Sequence, residues 1–265
     1  MLKRNRQNII KEILINEGTV LISDLCNKLD CSSETIRRDL VELEELGFAK
    51  KIYGGAYLPD KFDKSVPVSL RNTFFNEEKS KIAELAIKLI DEGDTIFLDS
   101  SSTCKKLAEF IIKEKKAITI ITNSIDIINC YQKNEDERII GLGGYLNLTN
   151  RAFQGEQTTS AIKNYVVNKA FISCPSIEFE FGLTDNSVEA AAIRREMINQ
   201  SREAFLIADH TKFSSHSPFV ISDFSKIKTI ITDRKLSKEW EQYSSSKKIS
   251  LSYSDKIQSK KEQKE

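Results

Sequence analysis

Six short apolar runs rich in β-branched residues, at 95–99, 117–122, 138–142, 169–174, 203–208 and 229–232, constrain the fold of this chain most. Helical segments separate most of them. An uninterrupted apolar run offers no polar face to water, so each strand must be buried on both sides, and the intervening helices supply the cover. The expected fold class is therefore α/β, with a mostly parallel sheet. A last strand is predicted within 248–253.

A helical period through Ile82, Leu85, Ala86 and Leu89 precedes the first run, which starts this second domain at 77 and ends it at 253. Before it, 58–76 holds Pro59 and Pro67 without a sustained apolar period and reads as a linker. After it, 254–265 is rich in lysine and glutamate without apolar anchors and reads as a disordered tail.

Residues 1–57 follow a different plan. A helix from about Arg4 to Glu17, closed by Gly18, is followed by an amphipathic segment from Ile22 to Leu29, a break at Asp30 and Cys31, and a helix opening at Ser32. At about 3.6 residues per turn, Ile36, Leu40 and Leu43 share one buried stripe, extended by Leu46, and Ile9, Ile10, Ile13 and Leu14 of the first helix pack on it. The opposite side carries Glu34, Thr35, Arg38 and Glu42, with Arg37 on its flank, and Ser32 caps the first turn. Phe48 to Tyr53 then forms a wing.

That order, helix, turn, helix and hairpin, points to a winged helix-turn-helix that reads DNA. Its site residues are Ser32, Ser33, Thr35, Arg37 and Arg38 on the second helix and Lys50, Lys51 and Tyr53 on the wing. Two arginines on a solvated face would say little alone. Residues 1–58 contain nine Lys or Arg and nine Asp or Glu, a balance of zero, so bulk attraction to DNA is weak. Clusters at Lys3, Arg4 and Arg6, at Arg37 and Arg38, and at Lys50 and Lys51 must do the neutralising. Two heads on a symmetric dimer would add avidity.

With 40% hydrophobic and 30% charged residues and a net charge of +1, the chain has material for two folded units. It shows no membrane span, and Lys11 and Glu12 interrupt the first apolar run too early for an export signal. Its five cysteines are scattered without metal-site spacing and suit a reducing cytoplasm as small apolar residues; no metal or cofactor is expected.

Ligands of parallel sheets sit at the carboxyl ends of the strands. The loops there are polar: Asp99, Ser100, Ser101, Ser102 and Thr103 after the first run, Asn123 and Ser124 after the second, and Gly143 and Gly144 after the third. Hydroxyls and amides at a helix start suit an anion such as phosphate. Asp99 would repel it, and is expected to accept from sugar hydroxyls or pair with a cation. Serines after a strand are also common helix caps, and a Gly-Gly pair is commonly a turn.

The first 57 or so residues resemble the winged helix-turn-helix of DeoR-type transcriptional regulators, through Thr35-Ile36-Arg37-Arg38-Asp39-Leu40 and Tyr53-Gly54-Gly55-Ala56, with Tyr53 where the family usually has histidine. Residues 75–233 resemble the sensor domain of the same family, through 94–100, 122–124, 142–144, 182–184 and 208–213. Ser101 stands where many members have glycine, and Arg194 where lysine is frequent. The resemblance implies a sensor with the ribose-5-phosphate isomerase fold that binds a phosphorylated sugar, with Lys212 as phosphate counter-charge and Asp185 and Glu189 lining the site.

The function so implied is a cytoplasmic regulator of transcription, a repressor of a carbohydrate-utilisation operon or else an activator. Its partners are double-stranded operator DNA, a phosphorylated sugar and a second copy of itself. Two alternatives stand beside it. One is an isomerase-like enzyme using Asp99, Asp209-His210 and Lys212 for proton transfer. The other is a DNA-binding oligomer that senses nothing.

Overall fold

The computed structural model describes residues 1–52, 54–58, 68–114, 116–132 and 138–254. The chain divides into two compact units, 1–75 and 76–265. Among the described residues no helix is long and apolar enough to cross a membrane.

In the first unit α1 (Lys3–Glu17), β1 (Thr19–Leu21), α2 (Ile22–Leu29), α3 (Ser33–Glu45), β2 (Lys50–Ile52) and β3 (Gly55–Tyr57) follow one another as the periodicity requires. Gly18, at φ 77°, closes α1 by returning its N–H to the Leu14 carbonyl at 2.9 Å. Ile10, Leu14, Leu25, Ile36, Leu40 and Leu43 fill the core. Leu46 does not extend the stripe; it is 70% exposed. The helix stops one residue earlier, Gly47 takes φ 69°, and the Phe48 N–H returns to the Leu43 carbonyl, so Ala49 fills the space instead.

The wing is an antiparallel sheet in the order β1-β3-β2. Gly54 and Gly55 serve different needs. Gly54 has φ 87°, in the left-handed region that side chains resist, and its carbonyl accepts from Ile22 N–H at 2.8 Å. Gly55 lies so close to β1 that a Cβ would sit 2.1 Å from the Val20 carbonyl oxygen. Tyr53 lies outside the described residues.

Within the span read as linker, α4 (Val68–Arg71) and a turn precede the second unit, and Val68 and Phe74 are buried. The Phe74 ring lies against Gly55. Residues 59–67, like the tail from 255, lie outside the described residues.

The second unit opens with α5 (Asn76–Ala86) and continues through β4 (Thr95–Leu98), α6 (Ser102–Glu114), β5 (Thr119–Thr122), α7 (Ile125–Cys130), β6 (Arg138–Gly141), β7 (Tyr145–Asn147), β8 (Ala152–Gln154) and α8 (Glu156–Ile162). It then runs through β9 (Val167–Ile172), β10 (Ser176–Glu178), β11 (Gly182–Asp185), α9 (Val188–Asn199), β12 (Ser201–Ile207), β13 (Phe219–Ser222), β14 (Ile227–Ile231), α10 (Lys238–Ser246) and β15 (Ser250–Ser252). Seven strands form a sheet in the order β15-β14-β12-β9-β4-β5-β6, every neighbouring pair parallel.

Both faces are covered, as uninterrupted apolar strands demand. In β4 the Phe97 side chain enters a core with Met197 and Trp240, and Ile96 and Leu98 enter the opposite one with Ile82, Leu107 and Ile127. Phe171 and Phe205 stack across neighbouring strands at 5.1 Å. The sequence did not announce the β7-β8 hairpin or the small sheet β10-β11-β13. Strands β7, β8, β10 and β11 are three or four residues long, too short to show a period.

One buried ion pair joins the helices of the head. Arg6 of α1 reaches Asp39 of α3, with Nη2 to Oδ1 at 3.2 Å and Nε to the other oxygen. Both residues are buried. Removing one partner of such a pair strands the other charge, so Asp39→Ala is expected to destabilise the head by about 3–5 kcal/mol in urea unfolding.

Candidate functional site

Two sites follow from the two units. On the head, α3 turns Ile36, Leu40 and Leu43 inward, so Ser33, Arg37 and Arg38 are exposed and Thr35 is half-buried. Ser32 Oγ accepts the Thr35 N–H at 3.3 Å, which caps the helix as its sequence requires. Arg38 meets Glu34 at 3.4 Å one turn back, an exposed pair that binds it weakly. Lys50 and Lys51 are exposed on β2, and the Lys51 N–H donates to Glu44 Oε1 at 2.8 Å, which ties the wing to α3.

The basic cluster at the N-terminus needs correction. Arg6 is buried against Asp39, and Lys3 bridges Glu42 at 2.6 Å. Of that cluster Arg4 is left without such an engagement among the described ion pairs, so α3 and the wing carry most of the exposed positive charge. Asp39 within the Arg-Arg-Asp-Leu segment is thus part of the packing of α3 and not of its exposed face.

In the second unit the polar loops line up along the carboxyl edge of the sheet, because β6, β5, β4, β9, β12 and β14 are consecutive parallel neighbours. Arg194 of α9 stands at the middle of this edge. Its Nε donates to Asp99 Oδ2 at 2.6 Å, and its Nη1 donates to Asp185. Asp99 also accepts the N–H groups of Ser101 at 2.9 Å and Ser173 at 3.1 Å. Of the two roles expected for Asp99, pairing with a cation is the one seen.

Burial opposes the charges in this cluster, but mutual attraction prevails. Asp99 is held below its ordinary value by Arg194 and its hydrogen-bond donors, and Arg194 is raised by Asp185 and Asp99. The Asp99 carboxylate and the facing oxygen of Asp185 are therefore structural anchors that fix β4, β11 and α9 to one another. Glu189 is exposed on the first turn of α9 and accepts from Ser187 Oγ at 2.8 Å.

The remaining loop residues divide the same way. Ser101 Oγ accepts the Cys104 N–H at 3.1 Å and caps α6, while Ser100 is half-buried and Ser102 and Thr103 are buried beside it. Ser124 Oγ caps α7 through the Ile127 N–H at 3.3 Å. Asn123 Nδ2 donates to the Phe153 carbonyl at 2.8 Å, and its Oδ1 is buried without a hydrogen-bond partner among the described residues. The Gly143 carbonyl accepts from Thr158 Oγ1 at 2.8 Å. A Cβ on Gly144 would meet the Gln154 carbonyl at 2.6 Å, so glycine there permits the close approach of β8.

Lys212 lies past the end of β12, buried, with Nζ 3.9 Å from Asp209 Oδ2. Burial lowers its ammonium to about 7, and burial also raises Asp209. Lys79 of α5, a residue the sequence reading missed, is buried and acts on Asp209 from the other element. Its signal was present: a lysine one turn before Ile82 and Ala83 falls on the buried stripe of α5. His210, one of the groups an isomerase reading would use, has Nδ1 2.9 Å from Asp233.

Residues 6–62 match the DeoR-like helix-turn-helix domain, and residues 75–234 match the DeoR C terminal sensor domain. The chain belongs to the DeoR family of transcriptional regulators. It is 31% identical to the HTH-type transcriptional regulator IolR of Bacillus subtilis over 94% of this chain and 99% of that protein. It is 33% identical to the lactose phosphotransferase system repressor of Staphylococcus epidermidis over 88% of this chain and 93% of that one. Ribose 5-phosphate isomerase A of Methanocaldococcus jannaschii aligns at 18% identity and a TM-score of 0.39, over 52% of this chain and 54% of that one, too slight a likeness for any inference.

The lowered Lys212 has a thermodynamic signature. Folded, it sheds its proton near 7; unfolded, it keeps it to the ordinary 10.5, so the unfolded form binds more protons between these values. Its contribution to stability therefore rises with pH across that window. Urea unfolding at pH 7 and pH 9 is expected to show this rise in the wild type and a smaller one in Lys212→Met.

Proposed function

We propose that this DeoR-family regulator is a repressor of a carbohydrate-utilisation operon, released from its operator by a phosphorylated sugar. The observation that carries the reading is the buried Lys212 ammonium at the carboxyl edge of a parallel sheet, where ligands of such folds bind. A phosphate reaching it would add charge-assisted hydrogen bonds to the 3.9 Å contact that Lys212 makes with Asp209. The name of the lactose phosphotransferase system repressor, one of its relatives, agrees with sugar control.

The site so proposed comprises Lys212, with Ser100, Ser102, Thr103, Asn123, Ser124, Gly143 and Glu189 along the neighbouring loops, and Asp99, Ser101, Gly144 and Asp185 holding them in place. Ser32, Ser33, Thr35, Arg37, Arg38, Lys50, Lys51 and Tyr53 serve the DNA. Residues 1–57 form the DNA-binding domain and 77–253 the sensing and dimerising one. Lys79 supports a route between them: a ligand at Lys212 and Asp209 acts directly on α5, the first helix after the linker. A typical coupling of about 1–3 kcal/mol would lower operator affinity by about 5- to 150-fold.

The reading makes no enzyme of the chain. Asp99, which an isomerase would need as a base, is engaged by Arg194 and two backbone amides. Purified protein is expected to show no turnover of sugar phosphates.

Thermal denaturation against a panel of sugar phosphates tests the sensor. A cognate ligand at 100 times its dissociation constant adds about 2.7 kcal/mol of stability. No stabilisation by any of them would leave a DNA-binding oligomer without a sensor. Because the phosphate favours the protonated Lys212, affinity should fall as pH rises above about 7, and Lys212→Met should bind weakly at every pH. For DNA, Arg38→Ala is expected to cost about 1–3 kcal/mol on the operator if Arg38 reads a base. Unchanged affinity and footprint would remove that contact.

A further inference from the structure

Two of the five cysteines stand together at the turn of the helix-turn-helix, and neither DNA reading nor ligand sensing uses them. Helix α2 ends in a left-handed cap, with Asp30 at φ 49°. The Asp30 N–H returns to the Cys26 carbonyl, and the Cys31 N–H reaches the same oxygen at 3.3 Å. A backbone bond from the sixth residue to the first marks a Schellman cap, which frequently brings the side chains of those two positions into contact. Here both are cysteines.

Both thiols are free and half-buried, and both lie against the core of the head. The Cys31 N–H on the Cys26 carbonyl at 3.3 Å shows the chain turning back on itself between the two residues, and a disulfide needs Cα atoms about 4.4–6.8 Å apart. The other three cysteines are differently placed. Cys104 and Cys174 are buried, with Sγ directed to the Phe171 and Ser176 carbonyls, and burial pushes both thiols up. Cys130 is pushed up by burial as well.

Cys31 is connected to the recognition helix in two ways. It immediately precedes Ser32, the cap of α3, and its Sγ donates to the Leu29 carbonyl at 3.2 Å. It also faces Arg6, the residue that holds Asp39 of α3. We propose that Cys26 and Cys31 form a reversible dithiol-disulfide pair through which a peroxide weakens the hold of the head on DNA.

The chemistry balances with hydrogen peroxide as oxidant. The Cys31 thiolate attacks one oxygen, the O–O bond breaks, and the other oxygen leaves as hydroxide, which takes up the thiol proton to become water. The resulting sulfenic acid is attacked by the Cys26 thiolate; the Sγ–Sγ bond forms, and the sulfenic oxygen leaves as a second water with the Cys26 proton. Two electrons pass from the thiols to the peroxide, and a dithiol reductant reverses the change.

To close the bond, Cys31 Sγ must leave the Leu29 carbonyl and turn from Arg6 toward Cys26. The cap at Ser32 then moves with its neighbour. Base readout tolerates misplacement of only about 0.5 Å, so a small tilt at the start of α3 is enough to lower affinity.

The test uses the reduced full chain and a duplex that it enriches from a random library. After peroxide treatment and blocking of remaining thiols, tryptic digestion without reductant cuts after Lys28 and separates the two cysteines unless they are bonded. The expected result is a linked pair of peptides, 12–28 with 29–37, that dithiothreitol separates. Oxidised wild type should bind the duplex about fivefold or more weakly, the low end of ordinary coupling. Cys26→Ser, compared with its own reduced form, should not respond. Cys31→Ser, which keeps a hydroxyl donor for the Leu29 carbonyl, provides the second control. Absence of the linked peptides, linkage without loss of affinity, or equal loss in Cys26→Ser would each overturn the proposal. Linkage mapped in the wild type decides the pairing even if a serine variant fails to fold.

Discussion

A parallel sheet whose two faces are both buried has only its edges left for polar chemistry, and the organisation of the sensor follows from that constraint. Alternate side chains of β4 enter opposite cores, so nothing polar can project from the middle of the strand. Asp99, Asn123, Ser173, Asp209 and Asp233 all fall just past strand ends. Charges gathered there must be matched among themselves before they can serve a ligand. Arg194 does much of this, by holding Asp99 and Asp185 at once.

The head uses the same device on a smaller scale. Arg6 and Asp39 neutralise each other inside the contact between α1 and α3, and Arg37 and Arg38 of α3 stay exposed. A formally neutral head thereby keeps exposed positive charge on α3. Its acidic residues are partly spent inward or along the back of the helix, as with Asp39 and with Glu42, which accepts from Lys3 and Gln7.

Legibility differed between elements for physical reasons. Helices α1 to α3 and the seven strands of the parallel sheet were legible because apolar period and run length directly encode burial. The exposed face of α3 was legible for the same reason, as the complement of a buried stripe. Leu46 misled because the left-handed turn at Gly47, not the period, ends α3. The short strands β7, β10 and β11 carry no period; β7 and β10 each pair with the next strand, and β11 also pairs with β13, further along the chain.

By itself the sequence determined which surfaces are buried, the order of strands and helices, and the residues available at the strand ends, since these depend on local spacing and polarity. Tertiary structure alone decided which of those polar groups are already partnered. Asp99 meets Arg194 across 95 residues and Arg6 meets Asp39 across 33, while Lys79 comes to act on Asp209 from a helix far earlier in the chain. A charge-charge contact depends on distance in space, and no spacing along the chain records it.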